Sequence, residues 1–170
     1  ADWKTRRGVP TVIRTTEWIQ AHYRHGSDLA ETVRNFIEDA YTKWGVRYVL
    51  LAGDTDIIPA RYGFSAFGEP SEQKIPTDMY FACLDGNWNF DGDALFGEAV
   101  VDFNDPGDST DLYAEVFVGR VPLSLTADVN TFVSKVMLYE NPVLTDYEPK
   151  NVFLGEVLVP VDWQGGPITL

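Results

Sequence analysis

An aspartate three residues ahead of a glutamate opens the segment that most limits what this chain can become. Asp28 and Glu31 have the form of a capping box, and Leu29, Val33, Phe36, Ile37, Ala40 and Trp44 recur behind them at helical spacing as far as Gly45. Residues 46–52 (VRYVLLA) follow with no linker. A mostly apolar run of that length is the kind of strand a parallel sheet buries on both faces. Ahead of the helix, residues 10–15 (PTVIRT) are β-rich and predict another strand. Strand, helix and strand make a βαβ unit, which commits the chain to a sheet with helices packed on it.

Gly53-Asp54-Thr55-Asp56 ends the second strand, and residues 59–76, rich in Gly, Pro and Ser, predict a surface excursion. Two more strands are predicted at 77–84 (TDMYFACL) and 114–119 (AEVFVG). The connection between them is far longer than a hairpin needs, and loops of that length are usually functional or ion-stabilised. A second helix starts at Thr126 or Asp128 and runs through Val129, Phe132, Val133, Val136, Met137 and Tyr139 to Asn141-Pro142. Residues 151–159 (NVFLGEVLV) read as a last strand. The alternation predicts an α/β fold, a mainly parallel sheet flanked by helices, with residues 1–170 as a single domain.

Charge narrows the partners. Thirteen basic against twenty-six acidic residues give a net charge of −13, which nucleic acid and anionic membrane surfaces would repel. No apolar run approaches the roughly 18 to 20 residues that span a bilayer. The acids concentrate in the long connection, where Asp85, Asp91, Asp93, Glu98, Asp102, Asp105, Asp108 and Asp111 occur without one Lys or Arg. Packed together they repel one another, a cost that a bound hard cation removes.

Calcium is the natural occupant. It takes six to eight oxygen ligands in flexible geometry, and Asn87, Asn89, Asp91, Gly92 and Asp93 offer them at short spacing. Magnesium prefers strict octahedral geometry beside a phosphate ligand, and no phosphate loop accompanies these acids. The run is not an EF-hand, because no frame places Asp at the first three ligand positions with Gly sixth and Glu twelfth. The plainer reading is that the acids only solvate a long loop.

Catalytic groups are scarce. The single cysteine, Cys83, excludes an internal disulfide and lies in an alternating apolar run, where a free thiol is usually a small buried hydrophobe. His22 and His25 fall in a polar, Gly-terminated stretch that reads as an exposed helix end rather than a base beside Cys83. There is no Gly-x-Ser-x-Gly elbow, Walker loop or Gly-x-Gly-x-x-Gly fingerprint. Asp54 and Asp56 at a strand's carboxyl end could hold a metal for phosphoester hydrolysis, although no Lys or His attends them to handle phosphate.

Taken in order, several segments resemble the gingipain family of cysteine peptidases. They are Trp3-Lys4-Thr5-Arg6-Arg7-Gly8, residues 48–59 (YVLLAGDTDIIP), Thr77-Asp78-Met79-Tyr80-Phe81, Leu84-Asp85-Gly86, residues 115–122 (EVFVGRVP) and Tyr139-Glu140. The resemblance implies a caspase-like α/β sandwich of two subdomains, of which this chain is the N-terminal, non-catalytic one, truncated at both ends. The catalytic His and Cys motifs of that family belong to the second subdomain and do not occur here. The acidic residue that supports the family's His, just before a Gly-Gly-Pro, falls at Gln164.

The resemblance also implies structural calcium held by Asp54, Asp85, Asp111, the carbonyl of Tyr113 and Glu115. Here some 25 residues separate Asp85 from Asp111 and carry their own Asp91, Asp93 and Glu98, so a second or shifted ion is expected. The implied partners are the remainder of the peptidase domain and a peptide or protein substrate of the parent, and the implied location is secreted or cell-surface. An independent calcium-stabilised binding or scaffold module is the alternative.

Overall fold

In the computed structural model, residues 1–23, 26–64, 74–98, 107–108 and 110–141 are described. Two compact units divide the chain, Ala1–Val129 and Asn130–Leu170. In order, the elements are α1 (Asp2–Arg6), α2 (Thr16–His22), α3 (Leu29–Trp44), β1 (Tyr48–Ala52), β2 (Arg61–Phe64), β3 (Lys74–Thr77), a 3-10 turn (Met79–Phe81), β4 (Phe117–Val121) and α4 (Thr126–Glu140). No helix among the described residues is long and apolar enough to cross a membrane.

Helix α3 forms where its spacing places it. Asp28 Oδ1 accepts from the Glu31 amide at 2.8 Å. Glu31 answers one residue earlier than a standard capping box, with Oε2 accepting from both the amide and the hydroxyl of Ser27 at 2.6 Å. Ala30, Val33, Ile37 and Ala40 face the core. Gly45 ends the helix in the left-handed region at φ 68°, and the amides of Gly45 and Val46 close on the carbonyls of Tyr41 and Ala40.

β1 and β4 pair in parallel, Tyr48 opposite Phe117 through Ala52 opposite Val121. Their inward side chains, Val49, Leu51 and Val118, join Val33, Ile37 and Val116 in one core cluster with Tyr80, Phe81, Cys83, Leu84 and Trp88. The expectation that 46–52 is buried on both faces fails. Leu51 is 3% exposed, but Tyr48, Leu50 and Phe117 are 69%, 58% and 70% exposed on the opposite face.

Four other expectations are corrected. Residues 10–15 form no strand; Thr15 instead caps α2, its hydroxyl accepting from the Trp18 amide at 3.2 Å. Extended structure ends at Thr77, because the Thr77 hydroxyl takes the Met79 amide at 3.1 Å and bends the chain into the 3-10 turn. Beyond it, Arg34 occupies carbonyls that a strand partner would need: Nε donates to Tyr80 O at 3.0 Å, and Nη2 to Cys83 O at 2.8 Å and Gly86 O at 2.9 Å. The excursion at 59–76 is partly a hairpin arm, since β2 pairs with β3 antiparallel, which makes the described strands half parallel and half antiparallel. The fourth strand begins at Phe117 rather than residue 114, because the Glu115 amide turns aside to Ala82 O. The predicted strand at 151–159 lies outside the described residues, as do His25, Asp102, Asp105, Pro142 and Gln164.

Candidate metal centre

Where β1 and β4 end, one arginine gathers the chain. Arg120 meets Asp78 through two bonds of 2.8 Å, and its Nη1 donates to Gly53 O at 2.9 Å and Ile58 O at 2.7 Å. Asp54 therefore sits on a fixed strand end, its Oδ1 accepting from the Thr55 amide at 2.7 Å and its carbonyl from the Ile57 and Ile58 amides at 2.9 Å.

The other carboxylates of the resemblance set, Asp85, Asp111 and Glu115, act on Cys83. Glu115 Oε2 accepts from the Leu84 amide at 2.5 Å, and Asp111 Oδ1 accepts from the Tyr113 amide at 2.9 Å. Burial pushes the Cys83 thiol up to about 11, and the carboxylates of Glu115, Asp111 and Asp85 push the same way. Cys83 is thus a sealed, protonated thiol beside acids, the opposite of an activated nucleophile. His22 belongs to α2, where its ring stacks on Trp18 at 4.1 Å and its Nδ1 meets the Trp18 carbonyl at 2.8 Å.

Among the described residues, the carboxylates whose donor atoms converge to within 4.8 Å of one another are Asp91, Asp93 and Glu98. Asp54, Asp85, Asp111 and Glu115 form no such group. The converging three belong to a tight loop. The Asn89 amide donates to Asn87 Oδ1 at 3.0 Å, the Asp93 amide to Asp91 Oδ1 at 3.2 Å and the Leu95 amide to Asp93 Oδ1 at 2.6 Å. Gly92 turns the chain at φ 78°. Gly97, at φ 75°, lies under Trp88, where an added Cβ would meet the indole at 3.0 Å. Asp91 and Asp93 are exposed, whereas Glu98 is only 6% exposed.

Asn87 and Asn89, expected as oxygen donors from the sequence, also fall into a frame that the sequence was not expected to contain. Counted from Asn87, this stretch puts Asn87, Asn89, Asp91 and Asp93 at the first, third, fifth and seventh positions of a calcium loop. Gly92 is then sixth and Glu98 twelfth, so the frame fits once Asn is admitted at the first two ligand positions. The signal was the distance from Gly92 to Glu98. Asn89 Nδ2 donates to the Asp93 carbonyl at 3.0 Å, while Asn89 Oδ1 is buried with no hydrogen-bond partner. An all-oxygen donor set of this kind suits calcium and offers nothing to a thiolate- or imidazole-seeking metal.

A family model described as peptidase family C25 matches residues 1–164. Gingipain R2 and gingipain R1 of Porphyromonas gingivalis are each 26% identical to this chain over 168 residues, 98% of its length. The chain spans 17% of that gingipain R2 and 13% of that gingipain R1. No solved structure matches.

Proposed function

This chain belongs to peptidase family C25, and from that premise we propose that it serves proteolysis as the non-catalytic, caspase-like first subdomain of a gingipain-like cysteine peptidase. The observation that carries this reading is the state of its one thiol. Cys83 is fully buried, raised to about 11, and attended by the carboxylates of Glu115, Asp111 and Asp85. A cysteine peptidase needs a thiolate with a base in reach, so the nucleophile and base belong to a partner, the second subdomain of the parent. The parent's substrate is a peptide or protein, and its place is outside the cell or on its surface. To test this, the chain alone is incubated with peptide substrates and a thiol-reactive probe. No turnover is expected; cleavage that disappears in Cys83→Ala would sink the assignment.

The same subdomain holds structural calcium. The loop carrying Asp91, Asp93 and Glu98 supports one ion through its converging carboxylates and its donor spacing. Asp54, Asp85, Asp111, the Tyr113 carbonyl and Glu115 are the second set, supported by the family resemblance. Calcium would neutralise the acids and cross-brace the loop. EDTA is expected to lower the melting temperature and calcium to restore it, with equimolar magnesium less effective. A melting curve indifferent to both, with no metal by elemental analysis, excludes the ion.

A further inference from the structure

The acids of the long connection are not equivalent, and one of them has its hydrogen bonds already filled. Asp108 is 8% exposed. Its Oδ1 accepts from the Phe90 amide at 2.5 Å, and its Oδ2 from the amides of Gly97 at 2.7 Å and Glu98 at 3.2 Å. Its own amide donates to the Glu98 carbonyl at 3.0 Å. One buried carboxylate therefore reaches both limbs of the loop, Phe90 just before Asp91, and Gly97 with Glu98 at the far end. Backbone amides satisfy both its oxygens, as they do for carboxylates that hold turns closed.

We propose that Asp108 is a positioning residue and not an ion ligand: it latches the loop shut so that Glu98 is held against Asp91 and Asp93 before any cation arrives. The proposal rests on the calcium reading of that loop for its function, but the latch stands on its own geometry. Held this way, the donor that lies farthest along the chain spends no conformational entropy in reaching the ion. The latch also sorts the acid run by what each side chain meets. Asp108 turns both its oxygens to amides of the loop, whereas Asp91, Asp93 and Glu98 each bring an oxygen within 4.8 Å of the others.

The experiment uses the full chain in two arms. In the first, amide hydrogen exchange is followed by NMR in EDTA, and the Phe90, Gly97 and Glu98 amides are expected to stay protected without calcium. Exchange at open-loop rates overturns the proposal. In the second, terbium is titrated with emission sensitised through Trp88, and calcium competes it off. Asp108→Asn loses acceptors, whereas Asp108→Glu keeps the charge but misplaces it by one methylene. Both are expected to weaken binding about 10- to 100-fold, the usual cost of losing a group that orients ligands.

If Asp108→Glu binds as the unsubstituted chain does, placement is irrelevant and the proposal fails. Protected amides in a chain that binds neither terbium nor calcium would keep the latch and discard the calcium reading instead. Should both variants prove unfolded, the exchange arm decides on the unsubstituted protein alone.

Discussion

Asp28 joins two structural features, so replacing it tests both. Its carboxylate caps α3 at the Glu31 amide and pairs with Arg61 through bonds of 2.7 and 2.9 Å. The Arg61 side chain is 9% exposed and lies over the rings of Tyr80 and Phe96 at 4.5 and 4.1 Å. Losing the cap oxygen costs about 1 kcal/mol, and leaving a buried charge without its partner costs about 3 to 5 kcal/mol. The lower end applies to the pair, because Asp28 is itself 46% exposed and Arg61 keeps the Tyr80 hydroxyl at 3.2 Å. Asp28→Ala should therefore cost about 4 kcal/mol in all. For a chain of this length that is about 8 to 16 °C in melting temperature. Asp28→Asn, which keeps a capping oxygen, should cost about half as much.

Equilibrium urea denaturation reads these values, and a second background apportions them. In Arg61→Met no charge is left to strand, so adding Asp28→Ala should cost only the cap, about 1 kcal/mol. If the cost of Asp28→Ala is the same in both backgrounds, or lies below 1 kcal/mol in the first, the claim that Arg61 depends on Asp28 is refuted.

The pair also sets a pH dependence. Burial pushes the Asp28 carboxyl up, but its bonds from Arg61 and from the Glu31 amide outweigh that and hold it below the ordinary value of 3.8. The stabilisation is complete above that value and is lost as pH falls through the lowered folded one, so acid unfolding of Asp28→Asn should show a weaker pH dependence there. Cys83 works in the other direction: its thiol is raised from 9.0 to about 11, so stability should fall as pH rises between those values, and Cys83→Ser should flatten that fall even while lowering stability overall. At neutral pH, a colourless disulfide reagent should label Cys83 only on the timescale of unfolding. Gly45→Ala should cost about 1 kcal/mol, because φ is 68° and the space for a methyl is open, so any loss measured by denaturation is conformational. A neutral outcome there would mean the last turn of α3 frays.

Helix α3 was legible because everything that specifies it is local: cap, periodic apolar face and a left-handed glycine lie within one short segment. Residues 10–15 and 77–84 misled because β-rich composition needs a partner, and in the second case Arg34 claims the carbonyls before a strand can. A hairpin arm hid inside 59–76 because its pairing joins residues across a Gly- and Pro-rich stretch. The acidity of the long connection was equally plain, yet its division of labour was not. Glu98 and Asp108 look alike in a sequence, and only the direction of the neighbouring amides separates a donor facing other carboxylates from a latch. Asn87 and Asn89 were legible as oxygen donors but not as members of a frame, because a frame that demands Asp at its first three ligand positions passes them over.

The parallel pairing of β1 with β4 has a consequence in time. Tyr48 cannot meet Phe117 until the intervening chain, with its hairpin and acidic loop, has been gathered behind it. Each such closure loses chain entropy before any contact is made, and sheets closed by distant partners assemble slowly for that reason. Whatever folds the loop early, a latch or an ion, shortens the floppy contour that remains to be closed. In this chain the acidic loop thus bears on the rate of assembly.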